Sequence, residues 1–450
     1  MSYGYNLLLA AAARRSRAGV TTVGKAGTLG FGVGFFPGSK DELKAMGLSE
    51  ASDGFKDPTS EHFCEYVHTN GSRMTFIPAF CYRIGNASAP SYSRDGVDAL
   101  EVRDATEFSK FAHNAAYADG YADFGDGWIL HRAFIDGGLV KNGFFIDKFL
   151  CSKSAAGLAV SVKNADWLQC VTGSTDYVTQ PLTDCVGQAM DALTLCRARG
   201  DHYSVTTCFQ WSALAILATA HGQAATSADA CAWYDANHVT NFPKGDTKAQ
   251  SGHADVNDAS VTFTSHTDGY FSKTGSASQY AKTTHNGQLS GVADVAGMCN
   301  QITLGAGPCL NYGEYWLLKP SIKAHDISKD NRNSSAHYEA LAGHWNTTDG
   351  IYYWGTGSLY TEASGSKWSA CGVIPSVNKT GADVFGKDEF RAYQSGGNWD
   401  RCMFCGLGYQ WGTNAGVWCR ALYGYNSYGY NYNWLNSYRY FGFRASGYAS

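Results

Sequence analysis

The spacing of apolar positions changes several times along this chain, and each change predicts an element. Val186, Met190, Leu193 and Cys196 recur at helical spacing, Pro181 suits a first turn and Gly200 a stop, so a helix is expected over about 181–199. A second helix is expected over about 208–221. There Thr207 followed by Gln210 is a capping-box pattern, Gly222 can end the helix, and Trp211, Leu214, Ala215 and Ala218 form one apolar face. Both helices read most simply as core packing. DELKAMGL (41–48) predicts a short helix, and MTFIPAFCYRIG (74–85) and GFFIDKFLCSKS (143–154) predict strands. TTVGKAGTLGFGVGFFPG (21–38) alternates glycine with apolar residues, which predicts a strand whose glycines permit close approach or bends. Residues 1–20 read as a short helix or an arm, and 86–140 as mixed and loop-rich. Beyond 222 the pattern is one of short strands separated by Gly, Asn, Ser and Asp, with a polar surface insertion over 252–288. Two helices inside a chain of many short strands predict an α+β fold.

Composition narrows the function. Only 16% of the 450 residues are charged, the net charge is −4, and no block of like charge stands out. A nucleic-acid partner would call for a basic face, so none is expected. Scattered acids such as Glu101 and Asp104 read as solvated surface. The apolar run Leu7–Ala13 is short and its arginines follow it, the reverse of a secretory signal. No stretch approaches the roughly 20 apolar residues of a membrane span. A soluble protein made in a cytoplasm, without membrane insertion, is expected. The 14 cysteines are too sparse for a disulfide scaffold and read as buried thiols. The one CxxC, Cys402 to Cys405, lacks the second ligand pair of a zinc site, so no metal is expected there.

The chemistry concentrates near the C-terminus, in LYGYNSYGYNYNWLNSYRYFGFRAS (422–446). Residues 421–440 hold seven Tyr and four Asn but no Asp, Glu or Lys. Tyrosine offers a large amphipathic contact area at low entropic cost, and Ser, Gly and Asn supply adaptable hydrogen bonds; binding loops of antibodies use the same mixture.

Four segments carry a family resemblance. TTCFQWSALAILATAHG (206–222), with Thr207 and Trp211 at matching spacing, resembles a helix of the formylglycine-generating, sulfatase-modifying family. SGVADVAGMCNQIT (290–303), with Asp294 and Gly297, resembles another of its segments; GFFIDKF (143–149) resembles its early strand; and the closing Gly442-Phe443-Arg444 matches its end. The resemblance implies a C-type-lectin-like fold in its formylglycine-enzyme variant, over about 121–450, with 1–120 a separate N-terminal region for attachment and oligomerisation. Within that region the run 29–38 is expected to pack around a symmetry axis. The oxidases of the family hold copper between two cysteines with four residues between them. Here GGNW (396–399) matches the lead-in, but only two residues separate Cys402 from Cys405, and the paired arginines that follow in the enzymes are absent. In the segment that helps bind calcium, Met298 and Asn300-Gln301 replace the family's residues. No catalytic residue is therefore expected and no cofactor, with calcium left open.

The region 408–446 resembles instead the variable region of proteins diversified by retroelements, in which template adenines are randomised and asparagine codons become Tyr, Ser, Gly, Asp or His. Its frame here is Trp411, Ala415-Gly416-Val417 and Gly442-Phe443-Arg444, with Phe443 in the core. The resemblance implies a variable, ligand-binding surface within about 408–441 comprising Tyr409, Asn414, Tyr423, Tyr425, Asn426, Tyr428, Tyr430, Asn431, Tyr432, Asn433, Asn436 and Tyr438. It implies a phage tail-tip adhesin: a virion component that recognises a host surface protein or glycan, contacts other tail proteins and forms a homo-oligomer, a trimer being one such form. A bacterial cell-surface location is the alternative. Two other functions stand beside it: a copper-dependent formylglycine-type oxidase, and a virion protein with a fixed carbohydrate-binding groove.

Overall fold

The computed structural model describes residues 22–117, 123–156, 158–170, 191–235, 242–248, 252–307, 316–328, 330–331, 334–340, 350–353, 388–393, 402–406, 415–423 and 441–449; for 350–353, 389–393 and Tyr423 it describes the backbone alone. The described residues are mostly strand with few helices, an α+β arrangement.

Capping chemistry sets the helices. In α1 (Lys40–Ala45), Ser39 and Glu42 form a reciprocal capping box, and Gly47 takes the left-handed turn that leads into the first strand. Of the helix expected over 181–199, α2 spans Asp191–Arg197; residues 181–190 lie outside the described residues. α3 spans Cys208–Ala224, and the Thr207–Gln210 capping box forms as predicted. The helix runs past Gly222 to a cap at Ala225, and it is buried on every side from Cys208 to Gln223. The single apolar face expected for it was too narrow, because Ser212 and Thr219 return their hydroxyls to the carbonyls of Cys208 and Ala215 and so can be buried as well.

Two six-stranded sheets organise the molecule. In chain order their strands are β1 (Leu48–Glu50), β2 (Glu65–His68), β3 (Arg73–Pro78), β4 (Gly143–Asp147), β5 (Tyr203–Val205), β6 (Asn300–Thr303) and β7 (Gly350–Tyr353). They continue with β8 (Glu389–Tyr393), β9 (Met403–Cys405), β10 (Arg420–Tyr423), β11 (Phe441–Gly442) and β12 (Ala445–Gly447). The first sheet has the order β1-β2-β3-β4-β12-β5 and the second β7-β8-β10-β9-β6-β11. The run expected as one strand over 74–85 is two: β3 ends at Pro78, and Phe80–Ile84 joins a separate three-stranded sheet with Leu100–Asp104 and Ile129–Leu130. Ala79 is the corner, its N–H donated to Asn142 and its carbonyl accepting from Ala105. The expected division at residue 120 has strands of one sheet on both sides, since β3 pairs with β4 from Met74–Asp147 to Pro78–Gly143.

The glycine-rich run 22–36 is not a strand. Gly24, Gly27, Gly30 and Gly32 all have positive φ, and the run turns repeatedly against buried side chains of its own chain. Gly27 N–H donates to His221 Nδ1 at 3.0 Å, Gly30 N–H to Gln288 Oε1 at 2.7 Å, and Asn286 Nδ2 donates to the Phe31 carbonyl at 2.8 Å. A Cβ at Gly27 would lie 2.6 Å from the Ala224 carbonyl oxygen. The glycines exist for intrachain approach. Phe31 and Val33 are buried in the main core, so these two side chains do not face a symmetry axis. The segment 252–288, expected as surface, also reaches inward: Phe271, Thr274, His285 and Asn286 are fully buried. Asp104, expected in solvent, is buried and accepts from the N–H groups of Val23 and Thr106; Glu101 is paired with Arg83.

His221 and His285 hold this run in their neutral forms. His221 accepts at Nδ1 and donates from Nε2 to Ala230; His285 accepts at Nδ1 from Val292 and donates from Nε2 to Gly32. Burial pushes their pKa values down from 6.5, to about 4 for His221 and about 3 for His285. A depressed histidine contributes stability that is complete above the unfolded value and lost as pH falls toward the folded one. Stability should therefore decline between about pH 6.5 and pH 4, by roughly 3 kcal/mol for each histidine. Urea midpoints measured across that range, in the parent and in His221→Gln, check it; a parent profile that is flat from pH 7 to 4.5 would contradict the assignment.

Candidate functional site

The expected binding surface begins and ends on the second sheet. β10 is antiparallel to β9, β9 to β6, and β6 is parallel to β11, so β10 and β11 run in the same direction with two strands between them. Leu422, Met403 and Thr303 form one row across the sheet; Arg420, Cys405, Gln301 and Gly442 form another. Residues 424–440 therefore depart at the Thr303 end and rejoin at the Asn300 end, about three strand spacings or roughly 14 Å across. Tyr423 closes β10. The other predicted contact residues, from Tyr409 and Asn414 to Asn436 and Tyr438, lie outside the described residues, as do Trp411 and GGNW.

The frame around that stretch is described and buried. Ala415, Val417 and Trp418 are inaccessible. Trp418 N–H donates to Asp388 Oδ2 at 2.7 Å, and that carboxylate sits so close to Gly416 that a Cβ there would fall 2.0 Å from Oδ1. Two indoles bolt the segment to α3: Trp211 Nε1 donates to the Val417 carbonyl at 3.0 Å, and Trp418 Nε1 to Thr219 Oγ1 at 2.8 Å. At the other end Gly442 faces Cys299 Sγ, 2.7 Å from where its Cβ would be. Phe443 is buried as expected.

The group that sequence reasoning missed is the guanidinium of Arg444. Phe443 and Arg444 join β11 of the second sheet to β12 of the first, and the Arg444 side chain is buried between them. Its Nε donates to Gln301 Oε1 at 2.7 Å, its Nη1 to the carbonyls of Asp147 and Lys148, and its Nη2 to those of Ala293 and Asp294. Asp147 in turn takes both Nη atoms of Arg199, at 2.6 and 2.9 Å, and the N–H of Ala445 at 2.9 Å. Burial works against the Arg199 charge, and the Asp147 carboxylate outweighs it, so its pKa is raised. Burial lowers that of Arg444 and raises that of Asp294. The Ser446 hydroxyl donates to Gln210 Oε1, which closes the set onto the α3 cap. A short motif of glycine, aromatic and arginine was the only available signal.

These contacts decide how the altered calcium-type segment is used. Gln301 Nε2 donates to the Asp294 carbonyl while its Oε1 holds Arg444, and Asp294 Oδ2 accepts from Thr274 and Gly275. At this position Gln301 Oε1 and the Asp294 carbonyl both accept from the Arg444 guanidinium.

Cys402 and Cys405 are both buried free thiols; Cys405 closes β9 and Cys402 lies just before it. Cys405 Sγ is 3.7 Å from Thr303 Oγ1, and burial pushes its pKa up. Among the described residues no group of three metal-ligating side chains occurs. Ser272, His253 and Asp246 do converge, but Ser272 Oγ and His253 Nδ1 meet the same Asp246 oxygen, and the hydroxyl is fully buried. A nucleophile–base relay needs the two imidazole nitrogens turned to two different partners.

No family model matches the chain, and no curated protein does. Among solved structures it is similar to the Major Tropism Determinant M1 variant, at 12% identity over 84% of this chain and 63% of that one, with a TM-score of 0.29. The I1 variant matches at 10% identity over 82% of this chain and 71% of that one, with a TM-score of 0.27. The chain thus spans less than two thirds of the M1 variant's length. No helix among the described residues is long and apolar enough to cross a membrane.

Removing the Arg444 charge should strand buried carbonyls and the Gln301 amide. Arg444→Met is expected to destabilise by about 3–5 kcal/mol, the range for breaking a buried charge set by removing one partner. Arg444→Lys should recover only part of this, because lysine lacks the planar fork. Chemical denaturation of both variants measures it, and a loss below about 1 kcal/mol for the methionine variant would refute the hub.

Proposed function

We propose that this chain is a ligand-binding protein whose C-terminal part presents a diversified Tyr- and Asn-rich surface, in the manner of a phage tail-tip adhesin that recognises a molecule on the host surface. The observation that carries the reading is the contrast between frame and insert. On either side of 424–440, Ala415–Leu422 and Phe441–Gly447 are buried and fixed by specific bonds to α3, Asp388, Asp147 and Gln301. Between them lies a stretch with the composition of adaptable binding loops and no acid or lysine. A scaffold that holds both ends independently of the side chains between them tolerates variation there.

On this reading Tyr425, Tyr428, Tyr430, Tyr432 and Asn433 contact ligand, other tail proteins hold the particle end, and the working form is a homo-oligomer whose sites add avidity. The reading has no place for a catalytic step. The two-residue spacing of Cys402 and Cys405 and the missing paired arginines weigh against the oxidase alternative.

The test is a pair of variants. Tyr428→Ala combined with Tyr430→Ala and Tyr432→Ala should abolish binding to host cells while shifting the melting temperature little. Phe443→Ala should instead cost about 3–5 kcal/mol of stability through the cavity it leaves. Sequencing of sibling genomes should show substitutions gathered within 408–441 and absent from Gly442-Phe443-Arg444. An invariant stretch, or host binding unaffected by the triple substitution, would sink the proposal.

A further inference from the structure

Charge is distributed unevenly along the chain. Between Arg401 and Ser450 stand four arginines, Arg401, Arg420, Arg439 and Arg444, and no Asp, Glu, Lys or His, although the whole chain has a net charge of −4. The Tyr-rich stretch and the frame on either side of it are therefore cationic, with no carboxylate of their own. Arg444 is answered in full, since its Nε, Nη1 and Nη2 all donate, to Gln301 and to backbone carbonyls. Arg420 is not. It opens β10 and is fully buried. Its Nη1 donates to the carbonyls of Val417 and Cys419, but among the described residues its Nε and Nη2 meet no acceptor.

The Nε–Nη2 edge is the side of the guanidinium that takes a carboxylate elsewhere in this molecule. Arg94 gives Nε and Nη2 to the two oxygens of Asp95, at 2.9 and 2.7 Å. Arg103 gives both to Glu107, and Arg73 gives both to Glu65. Arg199 leaves its Nε unmet, yet its charge is paired with Asp147 at 2.6 Å. At Arg420 no carboxylate takes that place among the described residues. Asp388, an acid of the same frame, turns Oδ2 to the Trp418 N–H. Cys405 lies directly opposite Arg420 in the sheet, and burial pushes its pKa up, so it stays a neutral thiol. A charge sealed from water without a counter-charge works against folding. Its two parallel donors suit an anion that offers two oxygens side by side.

We propose that Arg420 is an anion subsite of the binding surface, and that its Nε–Nη2 edge takes an oxyanion, a carboxylate or a phosphate monoester, carried by the host-surface ligand. The inference rests on the receptor-binding reading and narrows its ligand to an acidic one. Arg420 stands on the strand that runs through Tyr423 toward 424–440, so the guanidinium lies at the root of that stretch. Its Nη1 is anchored to backbone carbonyls, which hold it whatever side chains vary beyond it. No acid within 401–450 competes for the edge or repels an incoming anion.

Thermal unfolding of the full chain at fixed ionic strength gives the first readout. Acetate and methyl phosphate should raise the midpoint relative to chloride, and neutral acetamide should not. Arg420→Met should abolish this anion dependence and unfold no earlier than the parent, since it removes a charge without a partner. A parent indifferent to both anions, or an Arg420→Met variant that keeps their effect or unfolds well below the parent, overturns the subsite. Host-cell binding gives the second readout. Arg420→Met should weaken it at least tenfold. Capping cell-surface carboxylates with glycinamide, or stripping surface phosphates with a phosphatase, should do the same, and the treatment that acts identifies the group. Undiminished binding by Arg420→Met, or to cells given both treatments, refutes the acidic ligand and leaves the receptor reading standing. A parent that shows the anion shift but binds no host cell refutes the receptor reading, and the host-ligand assignment with it. Should Arg420→Met fail to fold, Arg420→Lys replaces it. That variant keeps the charge and loses the two-nitrogen edge, so it should lose the anion shift; an undiminished shift would refute the paired contact.

Discussion

A charged guanidinium sealed between two sheets is stable only if every donor finds an acceptor, and the architecture around Arg444 is built to that requirement. Its acceptors come from two regions far apart in the chain: the end of β4, and the 293–294 turn with nearby Gln301. Each can serve only if β4, β6 and the link from β11 to β12 hold one relative position. Asp147 adds a second condition, because the carboxylate that takes Arg199 also takes the Ala445 N–H. A small shift of one sheet against the other would break several charge-assisted bonds together. The segments that carry the family resemblance, 143–149, 206–222, 290–303 and 442–444, meet here.

Among the described residues, α3, Asp388, Asp147 and Gln301 supply bonds that fix the segments around β10, β11 and β12. Energy spent on order is spent in the frame, where burial is complete. A binding surface carried on such a frame can change its side chains at little cost to the fold.

What the sequence made legible was local, and what it hid was long-range. The Thr207–Gln210 capping box could be read because both partners sit within one helical turn. Phe443 could be placed in the core because the Gly-Phe-Arg motif of the resembled family marks a scaffold strand there. The run 22–36 was misread because Gly-apolar alternation suits a strand and a chain of glycine turns equally; the choice was made by His221, His285 and Asn286, two hundred residues away. Asp104 read as solvated for the same reason, since Val23 N–H is the partner that justifies its burial. The split of 74–85 hinged on Ala79, whose partners Asn142 and Ala105 no local pattern reveals. For the candidate site, composition marked 424–440 and the motif marked its ends, but neither indicated that the arginine of that motif joins two sheets.

That joining also bears on how the N-terminal third relates to the rest. β3 lies against one side of β4 and β12 against the other, so the first sheet is assembled from residues near 75, 145 and 446. Strand β4 carries Asp147 at its end, and its position is set by both neighbours. A fragment lacking β3 would leave β4 with a bare edge of unpaired peptide groups. It would also leave Lys148 without Glu65, its partner at 3.2 Å in a fully buried setting. The geometry that holds Arg444, and through it the ends of the Tyr-rich stretch, thus draws on strands placed before residue 80. The strands before residue 80 are thus part of the frame around β11 and β12.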